Sequence, residues 1–336
     1  MNILVTGGAG YVGSHTAKHL LEHGHDVWVY DNLSTGHAAA APADRLIVGD
    51  LHDGDQLRDV LATRRIDAVM HFAACALVGE SVTDPAKYYR NNLVATLSLM
   101  EAMRSCDIDS IVFSSTCATY GAPAEVPIRE DTPQAPCNPY GFTKLAIERA
   151  LDDYAQAYGW GFAALRYFNA SGAAADGSLG EDHTPESHLI PIVLQVALGQ
   201  REQITILGED YPTPDGTCIR DYVHVDDLAT AHLAALERLQ PCTGLKLNLG
   251  TGRGYSVRKV IEACRQVTGH EIPAISGARR AGDPPELVAD ASRAMQTLDW
   301  EPQYTTIEGI VETAWRWHQK HPAGYSAIES GSVASS

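Results

Sequence analysis

Tyr140 and Lys144 stand four residues apart in Asn138-Pro139-Tyr140-Gly141-Phe142-Thr143-Lys144, a segment opening with a good N-cap and a proline suited to the first helical turn. On a helix the two side chains share one face. A free phenol has a pKa of about 10, and a neighbouring ammonium favours its anion. Lowering it by about three units takes about 4 kcal/mol, within reach of two positive charges in a partly dry site. Tyr140 would then accept a proton near neutral pH. Such a pair in isolation is usually a surface contact, so its weight depends on what else the chain carries.

A second element with chemical meaning is Gly7-Gly8-Ala9-Gly10-Tyr11-Val12-Gly13, directly after the apolar run Ile3-Leu4-Val5 and before a helical pattern. A strand entering a G-x-x-G-x-x-G turn lets backbone amides approach a pyrophosphate, with the positive end of the next helix behind them. The apolar run 26–30 then ends in Asp31, eighteen positions after Gly13, where a carboxylate can bind adenosine ribose hydroxyls. It would repel a 2′-phosphate. NAD rather than NADP is therefore the expected cofactor, and its nicotinamide is the second positive charge near Tyr140.

Strands and helices alternate around these residues. Strands are expected at 45–49, 67–72 and 110–116, with helices at 53–64 and from about 85 to 104. This is an α/β, doubly wound parallel Rossmann sheet with a smaller C-terminal substrate domain. Asp50 follows the third strand and can receive the adenine amino group. Phe72-Ala73-Ala74 follows the fourth, where small residues let a cofactor lie close. After Asn169 the alternation loosens into a Gly/Ala-rich stretch (170–180), a helix near 189–198 and a strand at 203–207. Strands at 218–225 and 244–249 flank a helix at 226–239, the second able to rejoin the main sheet. The expected units are a cofactor domain over 1–175, rejoined near 220–250, a substrate domain over 176–219 and 251–322, and a disordered tail over 323–336. Thr305-x-x-Glu308 reads as a capping box opening a last core helix.

The formal net charge of −17 and the lack of any basic run argue against nucleic acid or an anionic membrane as partner. No apolar run approaches the ~18 residues of a membrane span, and the chain enters its first strand within two residues, so the expectation is a cytoplasmic protein without a leader. Seven cysteines without C-x-x-C spacing suit a reducing compartment and no structural metal. His15, His19 and His23, four apart on the first helix, read as a solvated face. Arg220 and Arg279-Arg280 are equally readable as pyrophosphate ligands or as ion-pair partners of Asp221 and Asp283.

These residues resemble the extended short-chain dehydrogenase/reductases, and within them the UDP-glucose 4-epimerases, from Met1 to about Pro322. The resemblance includes Asp31-Asn32-Leu33, Val78-Gly79-Glu80-Ser81, Leu165-Arg166-Tyr167-Phe168-Asn169, Gly208–Thr213, Arg220–Val225, Asn248-Leu249-Gly250 and Gly282-Asp283-Pro284-Pro285. It implies Tyr140, Lys144 and Thr116 as catalytic residues, and a cofactor site of Gly7, Gly10, Tyr11, Val12, Gly13, Asp31, Asn32, Asp50, Leu51, Phe72, Ala73, Ala74, Tyr140, Lys144 and Tyr167. The implied UDP-sugar site is Thr116, Tyr140, Asn169, Leu189, Arg220, Arg280, Asp283 and Leu287. A homodimer is implied as well. Ala76 stands where many relatives have a lysine near the cofactor phosphates, and Leu287 where others have a tyrosine or a small residue. The activity implied is NAD-dependent interconversion of UDP-glucose and UDP-galactose. Alternatives are another UDP-sugar 4-epimerase (N-acetylhexosamine or pentose), a 4,6-dehydratase or decarboxylase, or a non-catalytic NAD-dependent regulator. Dehydratases and decarboxylases carry acidic residues just after the catalytic hydroxyl, where this chain has Cys117 and Ala118. The regulator would not need Tyr140, Lys144 and Thr116 together.

Overall fold

The computed structural model describes residues 1–280 and 282–325. Its first strand, β1 (Asn2–Thr6), is an apolar run buried on both faces, as central parallel strands must be. Helix α1 (Tyr11–Glu22) follows, then β2 (Asp26–Asp31), β3 (Leu46–Val48), α2 (Gly54–Thr63) and β4 (Ala68–His71). Between β4 and the next strand lie α3 (Val78–Thr83), α4 (Pro85–Tyr88), a π-helical turn (Tyr89–Val94) and α5 (Ala95–Ser105). The expected continuous helix from about 85 is thus interrupted. The wide turn faces Asn92 inward, where its side chain accepts from Cys75 N at 2.8 Å and donates to Cys75 O at 2.9 Å, fixing the loop after β4. Such turns recur where a side chain must be re-aimed.

Strand β5 (Ser110–Thr116) leads through a 3-10 turn to α6 (Pro139–Tyr158) and β6 (Gly161–Tyr167). Beyond it come β7 (Asn169–Ser171), α7 (Leu189–Ala197), β8 (Ile204–Leu207), β9 (Ile219–His224), α8 (Val225–Glu237) and β10 (Gly244–Leu249). The chain closes with β11 (Gly254–Ser256), α9 (Val257–Thr268), β12 (Ala274–Gly277), β13 (Glu286–Leu287), α10 (Ser292–Leu298) and α11 (Ile307–Lys320).

Seven strands form one parallel sheet in the order β10-β6-β5-β4-β1-β2-β3. The winding direction reverses between β1 and β4, the place where such sheets bind ligands. One face is packed by α1, α8 and α10 through residues such as Ala17, Leu20, Leu228, Ala231 and Ala294. The other is packed by α2, α5 and α6 through Leu57, Leu61, Leu99, Met103, Ile147 and Leu151. A separate core joins α7, α9 and α11 through Val193, Leu194, Ile261, Cys264, Ile310 and Val311. Beside it β9 pairs with β7, β11 and β13, and β12 pairs with β8.

Three further local expectations change. Helix α11 is capped by Thr306, whose hydroxyl accepts from Gly309 N at 3.3 Å, so the capping box at Thr305 is displaced by one residue. His15 is buried rather than solvated: its Nδ1 lies 2.9 Å from Tyr11 O, the Tyr11 ring meets it edge-on, and burial lowers its pKa to about 4. The tail expected to be disordered from 323 still holds Tyr325, buried at 2% exposure because its ring stacks on His37 and packs on Trp317. The rest of that expected tail, 326–336, lies outside the described residues.

Helix α6 is locked to the sheet by a buried ion pair. Arg166 on β6 donates from Nε to Glu148 Oε1 at 2.9 Å and from Nη2 to Glu148 Oε2 at 2.6 Å, both side chains being almost fully enclosed. Ser115 on β5 donates to the same carboxylate at 2.5 Å. Arg166 Nη1 donates to Tyr120 Oη at 2.8 Å, and Tyr120 Oη donates to Asn248 Oδ1 of β10 at 2.7 Å. Removing one member strands a buried charge, which costs about 3–5 kcal/mol. Arg166→Met is therefore expected to lower unfolding stability in urea by that amount, and a change below about 1 kcal/mol would show that the pair does not hold α6.

Candidate active site

The glycine turn sits at the sheet's switch point and is shaped by close backbone approach. Gly7 has a positive φ of 72°, and a Cβ there would stand 2.4 Å from Ala73 N. A Cβ on Gly13 would stand 2.2 Å from Gly7 O, so only glycine lets α1 start this near the turn. Gly10 is the N-cap of α1 with no side-chain cap, leaving first-turn amides available to an anion. A cradle that a single methyl would fill, ending on an uncapped helix, fits a dinucleotide pyrophosphate.

From this turn a cleft of about 640 Å³ runs past the carboxyl ends of β4, β5 and β6 toward β9 and β13. The structure brings Gly7, Gly10, Tyr11, Val12, Gly13, Phe72, Ala74, Thr116, Tyr140, Lys144, Tyr167, Asn169, Arg220, Arg280, Asp283 and Leu287 to its walls, with Ala76 beside them. Asp31, Asn32, Asp50, Leu51, Ala73 and Leu189 stand off that wall. Asp31 is buried and braces the turn, accepting from Ala9 N at 3.0 Å and Leu33 N at 2.8 Å, while burial pushes its carboxyl up. Asn32 Nδ2 donates to Asp50 Oδ2 at 3.0 Å, tying the ends of β2 and β3 together. Leu51 belongs to the core with Tyr30 and Leu57. Ala73 backs the Gly7 turn, and Leu189 opens α7 against the second core.

Asn138 caps α6 by accepting from Gly141 N at 2.9 Å, with Pro139 in the first turn, so Tyr140 and Lys144 project together beside the end of β5. Lys144 is 2% exposed and donates from Nζ to Ser114 O at 2.8 Å. Burial lowers its pKa to about 7, with Glu148 acting the other way. Tyr140 is not lowered in the protein alone: burial drives its phenol up, Tyr167 adds to this, and the Thr116 hydroxyl opposes it. Burial is the largest cause, and the Lys144 ammonium is turned to the Ser114 carbonyl. Thr116 ends β5 and accepts from Ala118 N at 3.1 Å.

On the opposite wall Arg220 pairs with Asp283, not Asp221, and donates to Pro284 O at 2.8 Å. Asp221 is wholly buried and accepts from Thr251 N, Gly252 N and Ala289 N, making it a brace for the loop after β10. Arg279 pairs with Asp210 and lies over the Tyr211 ring, 4.1 Å from its centre, whereas Arg280 reaches the cleft. Leu287 on β13 lines the cleft and packs with Cys117 and Phe168.

Several wall residues escaped the sequence reading. His37, Asp182 and Tyr325 close one side, Tyr325 N donating to Asp182 Oδ2 at 2.8 Å. Glu181, His183, Glu186 and His188 cluster next to Tyr11. Burial opposes charge there, yet mutual contacts outweigh it, holding Glu181 down at about 2 and His183 up at about 10. The signal was present as Glu-x-His-x-x-Glu-x-His, hidden after a Gly/Ala-rich stretch.

Residues 3–250 match the model of the NAD dependent epimerase/dehydratase family. A UDP-glucose 4-epimerase of Halalkalibacterium halodurans is 55% identical over 327 residues, covering 97% of this chain and 98% of that protein. The crystal structure of UDP-glucose 4-epimerase from Brucella ovis in complex with NAD superposes with a TM-score of 0.90 at 50% identity, covering 94% and 97% of the two chains. That from Bifidobacterium longum in complex with NAD+ and UDP superposes with a TM-score of 0.92 at 40% identity, covering 96% and 100%.

Proposed function

This chain belongs to the NAD dependent epimerase/dehydratase family, and from that premise we propose that it interconverts UDP-glucose and UDP-galactose with NAD as a resident cofactor. The observation that carries the proposal is the meeting of Tyr140, Lys144 and Thr116 at one end of a cleft whose other end is the glycine cradle. Gly7, Gly10 and Gly13 with the first turn of α1 would hold the cofactor pyrophosphate, and Asp31 its ribose. Bound there, NAD supplies a reversible hydride acceptor for the sugar C4, so that a 4-keto sugar can be reduced again from its other face.

The chain's own residues move the proton. Tyr140 accepts it from the sugar 4-hydroxyl, Thr116 orients that hydroxyl, and Lys144 holds the end of β5 and its charge near the phenol. Arg220, Arg280 and Asn169 would bind the UDP end across the cleft. The dehydratase alternative is disfavoured by Cys117, the residue after Thr116: burial pushes its thiol up to about 12, so the position offers no usable acid or base at neutral pH. Among the described residues no helix is long and apolar enough to cross a membrane. A homodimer is supported by the apolar surface of Tyr89, Val94, Leu97 and Phe142 on neighbouring segments, and sedimentation at a monomer's mass would refute it.

Incubation of the purified protein with UDP-glucose should yield UDP-galactose by NMR, with Tyr140→Phe slowed by at least about 100-fold and UDP-sugar binding kept. Turnover within tenfold of the parent would refute Tyr140 as the proton acceptor. Because burial holds the phenol up, turnover should rise with pH as Tyr140 ionises, and Lys144→Met should displace that rise to higher pH. Leu287 leaves apolar room beside the sugar but no hydrogen-bond partner for an amide. N-acetylated UDP-hexoses are therefore expected as poorer substrates, and Leu287→Tyr should reduce their relative kcat/KM by about ten- to a hundredfold. An unchanged ratio would place the size gate elsewhere.

A further inference from the structure

Glu181, His183, Glu186 and His188 form a compact group, all but Glu186 on the cleft wall, their ligand atoms all within 4.8 Å of one another. His183 Nδ1 lies 3.4 Å from Glu181 Oε1 and 3.6 Å from Glu186 Oε2, and His188 Nδ1 lies 3.6 Å from Glu186 Oε1. Around an ion with nitrogen and oxygen ligands at about 2.0–2.2 Å, the edges of a tetrahedron measure about 3.3–3.6 Å. The two separations from His183 Nδ1 are such edges, with Glu181 Oε1 and Glu186 Oε2 as the facing ligand atoms. The separation of His188 Nδ1 from Glu181 Oε1, at 2.5 Å, would have to open by about 1 Å around an ion of this kind. His188 is the most exposed of the four and has the freedom to do so.

Convergence on one another alone is the second observation. Glu181 Oε1 and His183 Nδ1 are buried and have no hydrogen-bond partner outside the cluster, so each faces only the other candidate ligands. Buried polar atoms of this kind are normally satisfied. Glu186 is already aimed, its Oε1 accepting from Ser187 N at 2.7 Å and His188 N at 2.8 Å, which leaves Oε2 free to coordinate.

We propose that Glu181, His183, Glu186 and His188 bind one divalent first-row transition ion, zinc by its four-coordinate preference for imidazole and carboxylate. With four protein ligands the site is closed, hence structural. The ion ties the 181–188 loop to the start of α7, whose N-cap is His188, and secures the wall where the His183 ring meets Tyr11 edge-on at 6.3 Å. Its role is to position that wall, and the site stands independently of which reaction the cleft performs.

The test uses untagged, full-length protein treated with chelator and then titrated with zinc chloride by calorimetry and with cobalt chloride by visible absorption. One equivalent of zinc and intense tetrahedral cobalt bands are expected, with affinity at least about 100-fold weaker in His183→Gln and in Glu181→Gln and unchanged in His19→Gln, which removes a surface histidine near His23. Absence of a saturable equivalent, weak octahedral cobalt bands, or binding unaltered in both cluster variants would overturn the proposal and leave the four groups as proton-sharing ion pairs. Should both variants fail to fold, the parent's cobalt spectrum decides alone: tetrahedral bands at one equivalent uphold the site, and their absence overturns it.

Discussion

The buried pair between Glu148 on α6 and Arg166 on β6 is the constraint on which the site depends, because it fixes how the helix bearing Tyr140 and Lys144 lies against the sheet. Lys144 lies one turn and Tyr140 two turns before this carboxylate on α6, so a slip of α6 along the sheet would carry both side chains away from Thr116. The same carboxylate receives Ser115 beside Thr116, which sets helix and strand end in one register. Continuation through Tyr120 to Asn248 adds the outermost strand to that register. An ion pair is a poor source of net stability but a demanding specifier of geometry, since few other packings satisfy every partner.

Charge in the cleft follows from the same economy of partners. A chain of net charge −17 that takes an anionic ligand needs positive charge where that ligand lies and little elsewhere. Uncapped amides at α1 and the guanidiniums of Arg220 and Arg280 place positive charge along the cleft. Asp283 keeps Arg220 oriented through a partly buried ion pair at 2.5 Å.

Elements whose meaning is local were legible in the sequence. The glycine turn announces itself through spacing, the parallel strands through apolar runs, and the Tyr140–Lys144 pair through a capped helix start. Features depending on a distant partner were not. Nothing near Asn92 says that Cys75 awaits its amide, nothing in a histidine at position 15 reveals the packing that buries it, and Tyr325 looks like tail until His37 and Trp317 are seen against it. Asp31 was correctly placed at a strand end, but its bracing of Ala9 could be seen only with the turn folded. The four clustered residues from 181 to 188 were overlooked for the same reason: their convergence is a property of a loop that carries no periodic pattern.

Strand β10 pairs with β6 along its whole length, yet it enters the chain some eighty residues later. During synthesis β6 must therefore wait with an unpaired edge while β7 to β9 and two helices emerge, and such edges invite pairing with other chains. The sheet that carries the cofactor cradle near the amino terminus is finished only when residue 249 has left the ribosome. Truncation anywhere before that point would leave a sticky border rather than an autonomous half.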